Sequence, residues 1–372
     1  LGGLFIVALG FSLQQIAANP LAVVMGDPKT GSQRLSLAGG INNFGTTIGP
    51  LLVSFAIFGS VTADAAEASI ESVKVPYLIL GLAFLLVAAF FKFSSIPNKI
   101  DLEDVAEDEA TEDSRILHRR SAIKYPQLWL GMIGIFVYVG VEVATASNLP
   151  EYLHAHLGIS TDKIAPYISL YWASLMMGRW TGAIGAFDLR KGTKFVLSFI
   201  MPYVAFAVFL IVNSIARHDI TPFYLYVFVI ALMIIGDVLS NGSPARMLLI
   251  FSSCAIAALF IGMLTEGMVS VYAFISVGLF CSTLWPCIFT LAVAGLGKHT
   301  NQGSSLLIMM IMGGGFIAAL QGWLAADNLL GIQYSYIVGV ACFVYLMFYA
   351  IRVKHILKAQ GIDYDVKTGG AH

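Results

Sequence analysis

Apolar residues in this chain gather in long runs separated by short charged stretches, with no alternation of the kind a half-buried strand requires. A hydrocarbon layer about 30 Å thick is crossed by about 20 apolar helical residues. Runs of that length fall at residues 1–25, 35–59, 75–96, 127–149, 165–187, 194–215, 221–240, 245–265, 269–295, 304–326 and 332–353. The pattern predicts an all-α fold, a polytopic bundle of eleven transmembrane helices. Pro126, Pro166, Pro222 and Pro244 stand at the starts of four runs, where the missing N–H has no intrahelical acceptor to lose.

The polar residues inside these runs are where chemistry is expected. A charged side chain near the bilayer centre costs roughly 2.5–3.5 kcal/mol on insertion scales, yet the fourth span carries Glu142 and the fifth Arg179. At 100° per residue, Tyr138, Glu142, Thr145 and Asn148 fall within about 120° of arc. Ser12, Gln15 and Asn19 share a face of the first span, just before Pro20, and Asn42 and Thr46 share one of the second. Arg179 lies on a face with Trp172 and Met176, and Trp285-Pro286 interrupts the ninth span. Any one of the amides and hydroxyls could simply join helices, a contact worth about 0.6 kcal/mol. For Glu142 and Arg179, a rise of 1.5 Å per residue from the ends of their runs predicts an axial offset of about 10 Å. The expectation is therefore no direct bond, with both groups facing a water-filled cavity. Gly45-x-x-x-Gly49, Gly178-x-x-x-Gly182 and Gly313-Gly-Gly315 permit close helix approach, which indicates a bundle without indicating a substrate.

Composition agrees with a membrane chain: 58% of the 372 residues are hydrophobic and 12% charged, against about 25% charged in soluble domains. Its 21 basic and 22 acidic residues nearly cancel, which gives no reason to expect nucleic acid as a partner. Cys254, Cys281, Cys287 and Cys342 all lie in apolar runs at spacings that fit neither zinc nor a disulfide framework. His154 and His156, placed in an outer loop, lack a third ligand nearby, so no metal and no cofactor is expected. Lys and Arg divide 17 to 3 between alternate loops, with Arg179 inside a span. The richer side is read as cytoplasmic, which puts the C-terminal tail inside. Eight carboxylates between Asp101 and Asp113, followed by four bases, mark a solvated linker. The predicted organisation is a three-span N-terminal bundle at 1–96, a cytoplasmic linker at 97–126, an eight-span bundle at 127–353 and a tail at 354–372. The chain opens at Leu1 inside an apolar run, and the expectation is that its natural beginning lies further upstream.

Several stretches carry a family resemblance: LQQIAANP at 13–20, RLSLAGGINNFGTTIGP at 34–50, YVGVEVATASNL at 138–149, YWASLMMGRWTG at 171–182, LWPCIFTLAVAGLG at 284–297 and GSSLLIMMIMGGG at 303–315. In this order they resemble the fucose permease and glucose/galactose transporter family of the major facilitator superfamily, over most of the chain except 190–243. The resemblance implies two six-helix bundles, with the first span here matching the family's fourth. It makes the N-terminal bundle incomplete by three helices and makes 194–240 an inserted hairpin. It also implies that Asn42 matches a sugar-contacting asparagine and that Arg179 matches an arginine facing the cavity. Gln15 stands where fucose-specific members have a glutamate, and Gly39 where the family usually has glutamine, which bears on which sugar is taken.

The expected function is therefore proton-coupled, or cation-coupled, uptake of a monosaccharide such as glucose, galactose or fucose across the cell inner membrane by alternating access. A neutral, hydroxyl-rich substrate calls for amides, guanidinium and an aromatic face. Gln15, Asn19, Asn42, Asn148, Arg179 and Trp285 meet that requirement as substrate-binding residues, and Glu142 is the proton-coupling group. Sugar, coupling ion and membrane lipid are the expected partners. A major facilitator exporter of amphipathic molecules is the alternative, with a more apolar cavity. A membrane-embedded enzyme is the remoter one, because no span contains two acids.

Overall fold

A computed structural model of the protein describes residues 2–24, 30–58, 70–94, 121–160 and 163–362. Among the described residues there are helices and turns and no strand. The helices are α1 (Gly2–Val24), α2 (Gly31–Phe58), α3 (Ile70–Phe93), α4 (Pro126–Leu157), α5 (Ala165–Ala183), α6 (Lys191–Ile215), α7 (Tyr226–Ser240), α8 (Pro244–Leu264), α9 (Gly267–Cys281), α10 (Leu284–Val293), α11 (Thr300–Met309), α12 (Gly313–Leu324), α13 (Gly331–Tyr334) and α14 (Ile337–Ala359). Three pairs act as single crossings: α9 with α10, α11 with α12 through a short 3-10 turn, and α13 with α14. Helical segments thus occupy all eleven predicted spans.

Eight of these crossings are long and apolar enough to traverse a bilayer on that criterion alone. The apolar stretch described in α1, Phe5–Asn19, is shorter, and α2 and α5 fall outside the eight. The reason for α2 and α5 is visible in their packing. They lie against one another and bury Ser36, Asn43 and Thr47 from one helix with Ser174 and Thr181 from the other. Protein, not lipid, surrounds those faces, so the polar groups cost little there.

Two boundaries differ from expectation. The fourth helix continues through Pro150 to Leu157 and carries His154 and His156 in its last turn, not in a loop. Pro150 does not end it, because a proline removes one N–H and deflects a helix without obliging it to stop. The ninth crossing breaks at Ser282-Thr283, one turn ahead of Trp285-Pro286, as expected for a proline whose ring disturbs the carbonyl four residues back. Most of the acidic linker, residues 97–120, lies outside the described residues, as do residues 363–372 of the tail.

The α9–α10 crossing is the centre of the bundle. Of its most apolar stretch 94% is buried, against 0% for α3. Around it α4 packs on α10, α12 and α14, while α8 packs on α9 and α14 and α5 packs on α9. Helices α6 and α7 are joined to the bundle by polar contacts as well as apolar ones. Asn213 donates to the Ser169 hydroxyl at 3.1 Å, and the Tyr226 and Ser174 hydroxyls lie 2.8 Å apart.

Glycine sets how closely the helices approach. A methyl group at Gly278 would come within 2.7 Å of the Tyr171 carbonyl. At Gly178 it would run into the Ser282 side chain, and at Gly182 it would lie 3.0 Å from the Ser36 hydroxyl. The pair Gly178 and Gly182 therefore seats α5 against both the broken crossing and α2.

The triplet Gly313-Gly-Gly315 provides an internal control. A side chain at Gly313 would fall on the Phe136 carbonyl group, whereas nothing lies within 4 Å of one at Gly315. Gly313→Ala should therefore lower the melting temperature in detergent by several degrees, because overpacking against backbone costs about 1–3 kcal/mol. Gly315→Ala should leave it unchanged or raise it, since alanine is favoured over glycine in helices by about 1 kcal/mol. Equal effects of the two substitutions would contradict the close α4–α12 contact.

Candidate functional site

The site is built around a carbonyl that its own helix cannot use. In a regular helix the Ser282 oxygen would accept the N–H of residue 286, but that residue is proline and has none. Arg179, reaching across from α5, donates its Nε–H to this oxygen at 3.1 Å. Its Nη1 donates to Asn43 Oδ1 on α2 at 2.8 Å. Its Nη2 lies 4.0 Å from Glu142 Oε1 on α4. One guanidinium thus touches three other elements, and the arginine and glutamate side chains are only 12% and 13% exposed.

The close approach of Glu142 and Arg179 corrects the expectation of a 10 Å axial offset. That figure took the ends of the apolar runs as membrane boundaries. With 32 residues, α4 is much longer than a crossing needs, so position along it does not translate into depth. At 4.0 Å the two groups attract without hydrogen bonding. At that distance two unit charges interact by about 4 kcal/mol at an effective dielectric constant of 20.

Space for the arginine comes from Gly39. A methyl group there would sit 3.0 Å from Arg179 Cδ and 3.3 Å from Nη1, so the guanidinium stem runs over the bare backbone of α2. One residue further on, Trp180 donates its indole N–H to the Gly40 carbonyl at 3.1 Å. The consecutive glycines allow α2 to receive two large side chains from α5.

Polar groups around the pair are left with hydrogen-bonding capacity. Because Arg179 occupies its oxygen, the Asn43 amide directs its Nδ2 elsewhere, and that nitrogen is buried with no hydrogen-bond partner. The Thr283 hydroxyl beside Ser282 is also unpartnered, and the buried Tyr138 hydroxyl, one turn before Glu142, interacts with that carboxylate. Tyr138 faces Trp285 with ring centroids 6.3 Å apart at 47°, and Trp285 stacks on Phe289 at 6.2 Å. Tyr171 donates to the Glu142 backbone carbonyl at 2.8 Å, which ties α5 to α4 at this level.

Of the residues expected from sequence, Glu142, Arg179 and, through Tyr138, Trp285 come together. Asn42 is exposed on α2, and it is its neighbour Asn43 that meets the arginine. The signal for Asn43 was present in the sequence: Ser32, Ser36, Gly40, Asn43 and Thr47 follow helical spacing, and all five are buried. Asn148 lies on α4 six residues beyond Glu142 and donates to its own Ala144 carbonyl at 2.8 Å. Gln15 and Asn19 are half-buried on α1, which packs on α2 and α11. Among the described residues no hydrogen bond joins them to the Arg179 cluster.

A sequence model described as Major Facilitator Superfamily matches residues 1–236. The chain is 32% identical over 354 residues to a glucose/galactose transporter of Brucella abortus, covering 94% of this chain and 70% of that protein. The chain belongs to the major facilitator superfamily. It is also 28% identical to a putative glucose/galactose transporter of Helicobacter pylori, over 95% of this chain and 73% of the relative. With an L-fucose-proton symporter of Escherichia coli it shares 24% identity, over 94% of this chain and 70% of the relative. The crystal structure of the major facilitator transporter FucP in its outward conformation has the same fold, with a TM-score of 0.66 at 23% identity over 94% of this chain and 75% of that one.

Within this major facilitator chain the broken α9–α10 crossing places irregular backbone at membrane depth, which is tolerated where the freed groups find partners in protein or line a cavity. The arginine supplies one such partner. Replacing Pro286 with alanine would return an N–H to the Ser282 carbonyl and make it compete with Arg179. Pro286→Ala should thus slow hydrogen exchange at residues 282–287 and leave the melting temperature equal or a few degrees higher. Faster exchange in that segment would show that the carbonyl is not the origin of the break.

Proposed function

We propose that this chain carries a monosaccharide, such as glucose, galactose or fucose, across the cell inner membrane by alternating access, driven by a coupled proton. In this reading the C-terminal tail is cytoplasmic. The names of the relatives from Brucella abortus and Escherichia coli support both the sugar class and the proton. The single observation that carries the reading is the Glu142–Arg179 pair, held 4.0 Å apart, with buried unpartnered polar groups on Asn43, which meets the arginine, and on Thr283, next to the carbonyl it binds. Leaving a buried donor unpaired costs about 1–3 kcal/mol. A ligand dense with hydroxyls recovers that energy by both accepting and donating.

Arg179, Trp285 and Asn42 would contact sugar from α5, the broken crossing and α2. Gln15, Asn19 and Asn148 would contribute as the bundles close on it. Asn43 positions the arginine through its oxygen, and its free Nδ2, with the Thr283 hydroxyl, would pair with the same sugar. Glu142 is the coupling group: when charged it attracts Arg179, and when it takes up a proton that attraction is lost. The guanidinium is then held only by Asn43 and Ser282, and proton binding thereby alters the geometry offered to sugar. Coupling of this kind is reciprocal, so bound sugar must alter the proton affinity of the same site.

The test pairs counterflow with uptake driven by a pH gradient, in proteoliposomes containing the whole protein. Glu142→Gln keeps size and hydrogen-bonding capacity while fixing a neutral group. It should still bind and exchange sugar but fail to accumulate it. Arg179→Gln should weaken binding about ten-fold or more in every condition, because hydrogen bonds to a charged group contribute about 1.5–3 kcal/mol. Accumulation by Glu142→Gln equal to the parent's would show that coupling resides elsewhere. Thermal protection by hydrophobic cations and by no monosaccharide would remove the sugar reading altogether.

A further inference from the structure

Away from the polar site, α2, α5 and α6 enclose an apolar cleft of about 320 Å³. Leu37, Ile41, Trp180, Phe187, Leu197 and Met201 are among the residues that line it. Water is excluded, since an ordered water needs two to four polar partners and the walls offer almost none. The side of α6 turned away from the cleft is also apolar, with Phe195, Val196, Phe199 and Ile200 exposed, as expected for a helix whose outer face meets lipid.

One end of the cleft is strongly basic. At 100° per residue, positions 190, 194, 197 and 201 fall within about 60° of arc. Lys194, one turn before Leu197, and Arg190, which caps the helix, therefore stand on the face whose next two turns line the cleft. Lys191 is alongside, and Asp188 is the one acid in the stretch 187–194. Arg190 and Lys191 are exposed and Lys194 half-buried. An apolar trough that ends in a net positive cluster matches a molecule with a chain at one end and an anion at the other.

We propose that this cleft is a binding site for an anionic phospholipid, with an acyl chain along Leu197, Met201, Trp180 and Ile41 and the headgroup phosphate on Arg190, Lys191 and Lys194. Chain and headgroup are recognised together. A zwitterionic lipid would satisfy the trough and gain less from the bases, and a free phosphate would satisfy the bases alone. The site stands on α6 and the outer sides of α2 and α5, so lipid bound there bears on the same two helices that hold Arg179 from the other side.

Phosphatidylglycerol with brominated acyl chains, which quench indole fluorescence on contact, provides the test when titrated into the whole purified protein in detergent. In a Trp129→Phe, Trp323→Phe background, which removes the two surface-exposed indoles, the protein should show saturable quenching that is largely lost when Trp180→Phe is added. Brominated phosphatidylcholine should reach half-quenching only at concentrations at least ten-fold higher. Arg190→Gln and Lys194→Gln should each raise the half-quenching concentration of phosphatidylglycerol about five-fold. Equal half-quenching by the two lipids in that background, with Trp180 intact, would overturn the proposal. So would full saturable quenching after Trp180→Phe is added, or displacement of the brominated lipid by glycerol phosphate as effectively as by unlabelled phosphatidylglycerol.

Discussion

Arg179 is held by an oxygen that a helix would ordinarily keep for itself. Taking a guanidinium out of water carries a penalty of several kcal/mol unless its donors and its charge are both answered. The Ser282 carbonyl answers one donor, Asn43 another, and Glu142 the charge. The first of these exists only because Pro286 removes the competing N–H. That constraint fixes where the central crossing breaks, and it draws α2, α4 and α5 to the break from three sides.

Much of this was legible in the sequence, for physical reasons that differ from residue to residue. The spans could be read because a run of about 20 apolar residues has few other uses. Glu142 and Arg179 stood out because charge in such a run is expensive. Their separation could not be read, because depth was counted from the ends of apolar runs and α4 is far longer than the layer it crosses. Asn42 and Asn43 are adjacent, and only the orientation of α2 about its own axis decides which meets α5. The buried row from Ser32 to Thr47 encodes that orientation, but it becomes evident only once small and polar residues are counted as the buried face of a membrane helix. The apolar cleft at α6 lay outside any reading by motif, since its walls come from three helices that are discontinuous in sequence.

The same economy governs how the bundle can move. Glycines at 178, 182 and 278 bring backbones together where the arginine crosses, so the junction has shape as well as charge. The links at its centre are few: two hydrogen bonds and one ion pair too long to be a hydrogen bond. Apolar packing elsewhere in the bundle is far more extensive, with α9 and α10 almost wholly enclosed. A chain that must rearrange about a fixed centre gains from this division, in which the core stays intact and the contacts that need to change are few and polar.

Gly39 carries a consequence for how this protein can diverge. Its missing side chain and the stem of Arg179 claim the same volume, within 3.0 Å of one another. A larger residue at position 39 would therefore not simply add a group to the cavity wall; it would crowd the stem of Arg179, which would have to shift on its path to Asn43 and Ser282. The two positions share one volume, so a change at either obliges the side chain at the other to take a new posture. A long side chain at this place on α2 would redirect the arginine of this protein and so reshape the site it presents.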